Sequence, residues 1–167
     1  MVTPDLNKET FKLVMVATNL FNEIISLPPS IRKDEKERTG IQVFIREPGT
    51  RNLVFFSVES PSAAAMTFSV EKAIRSYLHG DSSSENSADP DRMEFQGSVT
   101  VDIDGVKLQA SVSGLFGEED TLVAVKVLAY IFDVTSLEIC KNIMEHDGKL
   151  PIRFFTEGDY LCKFINS

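Results

Sequence analysis

The chain has 167 residues, 43% hydrophobic and 25% charged, with a net charge of −8, a balance that suits one globular domain with its own core. Acidity excludes a nucleic-acid binder that grips phosphates through clustered Lys and Arg, because the densest basic run, Arg32 to Arg38, is interrupted by Asp34, Glu35 and Glu37. No apolar stretch approaches the ~20 residues that span a bilayer and the N-terminus lacks a secretory apolar run, so no membrane partner is expected and a cytoplasmic location is.

A first helix is predicted from Thr3 as cap and Pro4 at the first helical position. Phe11, Val14, Ala17, Phe21 and Ile25 recur at helical spacing as its buried stripe, widened by Met15 and Leu20, and Pro28-Pro29 ends it. Ser30 to Gly40 reads as an exposed charged connector. Ile41, Val43 and Ile45 alternate with polar residues and Leu53 to Val58 is almost continuously apolar. The two runs predict a hairpin through Glu47–Asn52, its second strand covered on both faces.

Ser60-Pro61 opens a second helix, whose predicted buried stripe is Met66, Val70, Ala73, Ile74 and Tyr77 and whose end is His79-Gly80. The segment 80–92 is nearly devoid of apolar residues and reads as an inserted mobile loop within a single domain spanning 1–167. Val99, Val101 and Ile103 lead to Asp104-Gly105, a favoured two-residue turn, and Val106, Leu108, Ala110 and Val112 return from it. A third helix follows Gly117 with Glu118, Glu119 and Asp120 in its first turn, where the helix dipole favours negative charge. Leu122, Val123, Val127, Leu128 and Ile131 line that helix. Thr135 with Glu138 predicts a capping box for a fourth helix ending near Gly148. Residues 135–167 form a C-terminal extension of this helix and a last hairpin around Gly158-Asp159.

Phe68 to Ala73, the Asp104-Gly105 hairpin, Val112-Ser113-Gly114 and Gly117-Glu118-Glu119-Asp120 with Val123-Ala124 resemble the GlcG/HbpS-like family, which includes haem-binding HbpS proteins and PduO C-terminal domains. The resemblance covers roughly Ile41 to Ile131. The residue patterns give the order α-ββ-α-ββ-α(α)-ββ, an antiparallel sheet with helices packed on it, and the resemblance implies that this α+β fold is profilin-like. It also implies a homo-oligomer and, in some members, binding of haem or another small molecule without an established enzymatic role. Gln96-Gly97 stands where the family has a glycine pair, Val127 where it has a helical glycine, and the first helix has no histidine to hold haem.

No catalytic constellation emerges. The chain has no G-x-S-x-G elbow and no P-loop. His79 and His146 each precede a helix-ending glycine and read as capping groups. Cys140 and Cys162 lack metal-type spacing and read as two buried thiols of a reducing compartment, with a disulfide between them the alternative that geometry decides. A thiol–imidazole pair of either cysteine with His146 is the least supported reading. The candidate ligand-binding residues are Ser62 at the start of the second helix and Ser113, Gly114, Gly117 and Asp120 at the strand-to-helix turn, whose backbone N–H groups are able to face an anion although three acids follow. A non-enzymatic binder of haem, a corrinoid or a small organic molecule is expected, with a protein–protein interaction module as the alternative.

Overall fold

A computed structural model describes residues 3–167. Period-two alternation builds its sheet. Strands β1 (Gly40–Arg46), β2 (Leu53–Glu59), β3 (Ser98–Ile103) and β4 (Val106–Ser113) pair antiparallel in the order β2-β1-β4-β3. Asp104 and Gly105 both take positive φ, 52° and 78°, as the mirror-image turn between β3 and β4 requires.

The helices are α1 (Leu6–Ile25), α2 (Pro29–Arg32), α3 (Ala63–His79), α4 (Gly117–Phe132), α5 (Ser136–Asp147) and α6 (Tyr160–Ile165). On one face of the sheet Ile41, Val43, Ile45, Val54, Val58, Val99, Val101, Leu108, Ala110 and Val112 are buried against α1, α4 and α5 in a single core. The opposite face is polar: Gln42, Ser98, Thr100, Gln109, Ser111 and Ser113 lie buried, and α3 packs across this face. The α+β class and the two sequence-local hairpins therefore stand as expected, and the polar face of the second hairpin is covered by α3.

Several local readings are corrected. The cap of α1 is Asp5, whose carboxylate accepts from Asn7 N–H at 3.2 Å, so the helix begins at Leu6 and not at Thr3-Pro4. Ala17, Leu20 and Phe21 are buried, but Phe11 is 75% exposed and Met15 and Ile25 also face water, because Leu6, Leu13 and Ile24 supply the contact face. α3 shows a stronger inversion. Its buried side carries Ala65, Ser69, Lys72, Ala73 and Ser76, whereas Met66, Ile74 and Tyr77 are exposed and Val70 half-buried. The polar sheet face beneath explains this, since Gln109 Nε2 donates to Ser76 Oγ at 3.1 Å and to the Ala73 carbonyl at 3.0 Å. β2 is an edge strand buried on one face only, with Leu53 and Phe55 exposed.

The terminal hairpin is absent among the described residues. A 3-10 turn, Ile152–Phe154, and α6 occupy that stretch, with Asp159 capping α6 by accepting from Leu161 N–H at 2.9 Å. The segment 80–92 is anchored at its start: Ser82, Ser83 and Ser84 are buried. Asp147 takes the N–H groups of Ser82 and Ser83 at 2.8 and 2.6 Å. Arg75 holds the rest of the loop through the Ser84 carbonyl, Ser87 Oγ and the Phe95 carbonyl.

The connector after α1 is corrected too. Arg32 and Asp34 are buried, and Arg32 grips Glu119 with a two-pronged contact of 2.8 and 2.7 Å. Tyr160 donates its hydroxyl to the same carboxylate at 2.7 Å. Removing one partner of such a pair leaves a buried charge uncompensated. Arg32→Met is therefore expected to cost about 3 kcal/mol, read from the shift of the urea unfolding midpoint at constant slope.

Candidate functional site

Where β4 turns into α4, the chain makes a sharp corner beside the N-terminus of α3. Gly114 has φ 138° and lies so close to the Gly40 carbonyl that a Cβ would collide with it. Gly117 opens α4 against the side chain of Gln96, with no room for a Cβ. Ser62 caps α3, its hydroxyl accepting from Ala65 N–H at 3.1 Å. Between these elements runs a cleft of about 470 Å³, lined among others by Lys36, Arg38, Ser62, Phe68, Phe95, Ser113, Gly114, Phe116, Gly117 and Asp120, with Lys72 also in its wall. All five residues singled out from the sequence, Ser62, Ser113, Gly114, Gly117 and Asp120, thus border one space.

Asp120 and Lys72 form its charged wall. Lys72 Nζ donates to Asp120 Oδ2 at 2.9 Å and to the Val112 carbonyl at 2.8 Å, and both side chains are almost fully enclosed. The second oxygen of Asp120 accepts from Leu115 N–H at 2.9 Å. Burial pushes the Asp120 carboxyl up to about 6, with Lys72 and the Leu115 N–H pulling the other way. Both oxygens of Asp120 are therefore engaged within the protein, and its part in the cleft is to hold Lys72.

The turn's N–H groups are spent as well. Leu115 N–H goes to Asp120 and Phe116 N–H to Glu119 at 3.2 Å, so neither is free for an anion. The three acids of the first turn do not face the cleft as a repulsive cluster, because each has a cation. Glu118 pairs with Arg153 at 2.7 Å, Glu119 with Arg32 at 2.7 Å and Asp120 with Lys72 at 2.9 Å.

Two cations stand among the lining residues on the connector side: Lys36, which is exposed, and Arg38, which pairs with Asp34 at 2.7 Å and donates to the Gly114 carbonyl at 3.2 Å. Phe68 and Phe95 meet edge to face with centroids 5.3 Å apart, and Phe116 is exposed. The sequence reading missed Lys72, Lys36 and the three phenylalanines. One signal for Lys72 was available: Ser69, Lys72 and Ser76 repeat on one side of a helix that follows a hairpin with polar alternate positions.

The histidines lie elsewhere. His79 precedes Gly80, the left-handed end of α3, and His146 borders a separate groove of about 510 Å³ with Tyr77, Thr100 and Lys107. His146 Nδ1 sits 2.6 Å from Asp147, whose carboxylate also serves the Ser82 and Ser83 amides. Among the described residues the lining of the cleft includes no His, Cys or Met, so its donors do not fit an axially ligated haem.

Fold and cleft together define a four-stranded antiparallel α+β domain whose strand order and helix count are compatible with a GlcG-like fold. The solved structure of Klebsiella pneumoniae protein ORFY, of family DUF336, is similar over 74% of this chain and 88% of that one, with a TM-score of 0.51 at 15% identity. DUF336 is the GlcG-like family, and at this identity the likeness shows the fold alone. No protein-family description and no curated protein matches this chain.

Both cysteines are free, Cys140 buried and Cys162 half-buried. Burial pushes the Cys140 thiol up to about 12, which removes the thiolate that nucleophilic chemistry needs. In native protein at pH 8, titration with an aromatic disulfide reagent is expected to modify Cys162 alone, Cys140 reacting only once denaturant is added.

Proposed function

We propose that this chain is a non-enzymatic binding protein and that the cleft between α3 and the β4–α4 corner takes a small organic anion with a flat apolar body. The observation that carries this reading is the pairing of aromatic walls, Phe68, Phe95 and Phe116, with the connector cations Lys36 and Arg38 in one partly enclosed space. Such spaces bind through apolar contact and orient through a few polar groups. The ligand's carboxylate meets Lys36 at the rim while its body stacks on the phenylalanines. The absence of imidazole and thiolate in the lining favours an organic ligand over haem.

Protonation tunes the site. Above about pH 6 Asp120 is charged and neutralises Lys72, and below it Lys72 presents an uncompensated positive charge to the cleft. Besides Asp120 itself, the charged groups that line the same space are Lys72, Arg38 and Lys36. Affinity for a carboxylate of ordinary pKa is therefore expected to rise as pH falls from 7.5 to 5.5. The stability linkage has a matching sign. Because the folded carboxyl titrates higher than an unfolded aspartate, its contribution is largest below about pH 4 and declines as pH rises through about 6.

Calorimetric titration with 1-naphthoate and its uncharged amide tests the reading. The acid is expected to bind at least about tenfold tighter than the amide, Lys36→Glu to abolish the difference, and Phe116→Ala to weaken both. No binding of either compound, with the fold intact by circular dichroism, sinks it.

A second reading, an interaction platform on the sheet, is favoured by apolar side chains that face water on β2 and α3, chief among them Phe55 and Leu78.

A further inference from the structure

The two edges of the sheet are treated differently. β3 is sealed by the chain itself: Thr100 N–H donates to the Ser82 carbonyl at 2.7 Å and Ser84 N–H to the Ser98 carbonyl at 2.9 Å. β2 has no such cover among the described residues. Its phase follows from the bonds that flank it. Glu47 N–H donates to the Asn52 carbonyl at 2.9 Å and Ser60 N–H to the Thr39 carbonyl at 2.9 Å. With the register Val43↔Phe56 between them, the residues of β2 bonded to β1 are Val54, Phe56 and Val58. Antiparallel alternation then turns the backbone groups of Leu53, Phe55 and Ser57 outward. The strand carries no Lys, no Pro and no bulge to blunt it, and Leu53 and Phe55 expose their side chains.

We infer that this edge pairs with β2 of a second copy about a two-fold axis through Phe55. Charge complementarity selects both the occupant and the register. Antiparallel self-pairing centred on Phe55 sets Leu53 opposite Ser57 and brings Arg51, in the turn that leads into β2, toward Glu59 at its end, so each end of the joint matches a cation with an anion. Both charged residues are exposed in the single chain. Centring on Ser57 sets Pro61, which has no N–H, opposite Leu53, and centring on Phe56 sets Glu59 against Leu53 and leaves Arg51 without an acid.

The register centred on Phe55 uses the outward backbone groups of Leu53, Phe55 and Ser57 and makes one eight-stranded sheet. It also brings together apolar surface that the single chain leaves bare. Phe68 and Arg75 mark the flank of α3 that reaches Phe95. Met66 and Tyr77 lie on the opposite flank at 100° per residue, the flank where Arg46 of β1 stacks on Tyr77 at 5.1 Å. The two α3 flanks thus border the joined β2 strands. None of the paired residues lines the ligand cleft, so dimerisation and ligand binding succeed or fail separately.

Sedimentation equilibrium of the full chain tests the pairing. The wild type is expected to be a dimer, and Arg51→Glu and Glu59→Arg each to weaken it at least about tenfold. The double exchange is expected to restore it, since the charges then match again in the same register. Ser57→Pro removes one outward N–H and is expected to yield a monomer with native circular dichroism. A wild type that stays monomeric to about 100 µM overturns the inference, as does a dimer indifferent to the charge reversals or to the proline. An edge reserved for a different partner gives the first of these results.

Discussion

The interaction on which the rest depends is the neutralisation of three successive acids at the start of α4 by three cations from distant parts of the chain. Arg32 arrives from α2, Lys72 from α3 and Arg153 from the turn before α6. The acids would suit the positive end of a helix in any case. Here two of them are buried, and burying a carboxylate without a partner is costly enough that each cation is fixed in place by its acid. One helical turn thereby ties α2, α3 and the C-terminal segment to the core, and it forms the corner on which the cleft is built.

The parts of the fold legible in the sequence are those where local chemistry and tertiary environment agree. Asp104-Gly105 demanded positive φ and found it, and the alternating valines beside it went to the core. The Thr135–Glu138 box caps α5 with reciprocal bonds of 2.8 and 3.2 Å. These signals depend on a few neighbouring residues, so nothing distant can overrule them. The terminal hairpin failed for the converse reason. Gly158-Asp159 suits a turn equally well as the entry to a helix, and Asp159 used its side chain as a cap and as a partner for Arg153 at 2.8 Å.

The candidate site was half legible. Glycines and small serines at a strand-to-helix corner mark a close approach of backbone, and Ser62, Ser113, Gly114 and Gly117 do meet there. What periodicity misassigned was the helix across from them. Met66, Val70, Ile74 and Tyr77 form a regular apolar stripe, and the simplest rule sends such a stripe inward. The rule presumes an apolar surface to receive it. The face of the sheet under α3 carries Gln42, Gln109 and several serines, and their hydrogen bonds required polar partners. The helix turned its serines and Lys72 down, and Lys72 came to the cleft as a result. Reading the alternate positions of the strands together with the helix would have predicted that rotation.

The seal on β3 has a consequence for the order in which the chain matures. Ser82 and Ser83 are held by Asp147 across 65 and 64 residues, so the seal is complete only once α5 has been made and docked. A nascent chain that has emerged only as far as β4 carries two open margins, each able to capture a strand from a neighbour. The carboxylate of Asp147, remote from the cleft, thus acts as a late latch that limits the time the young sheet spends adhesive on both sides.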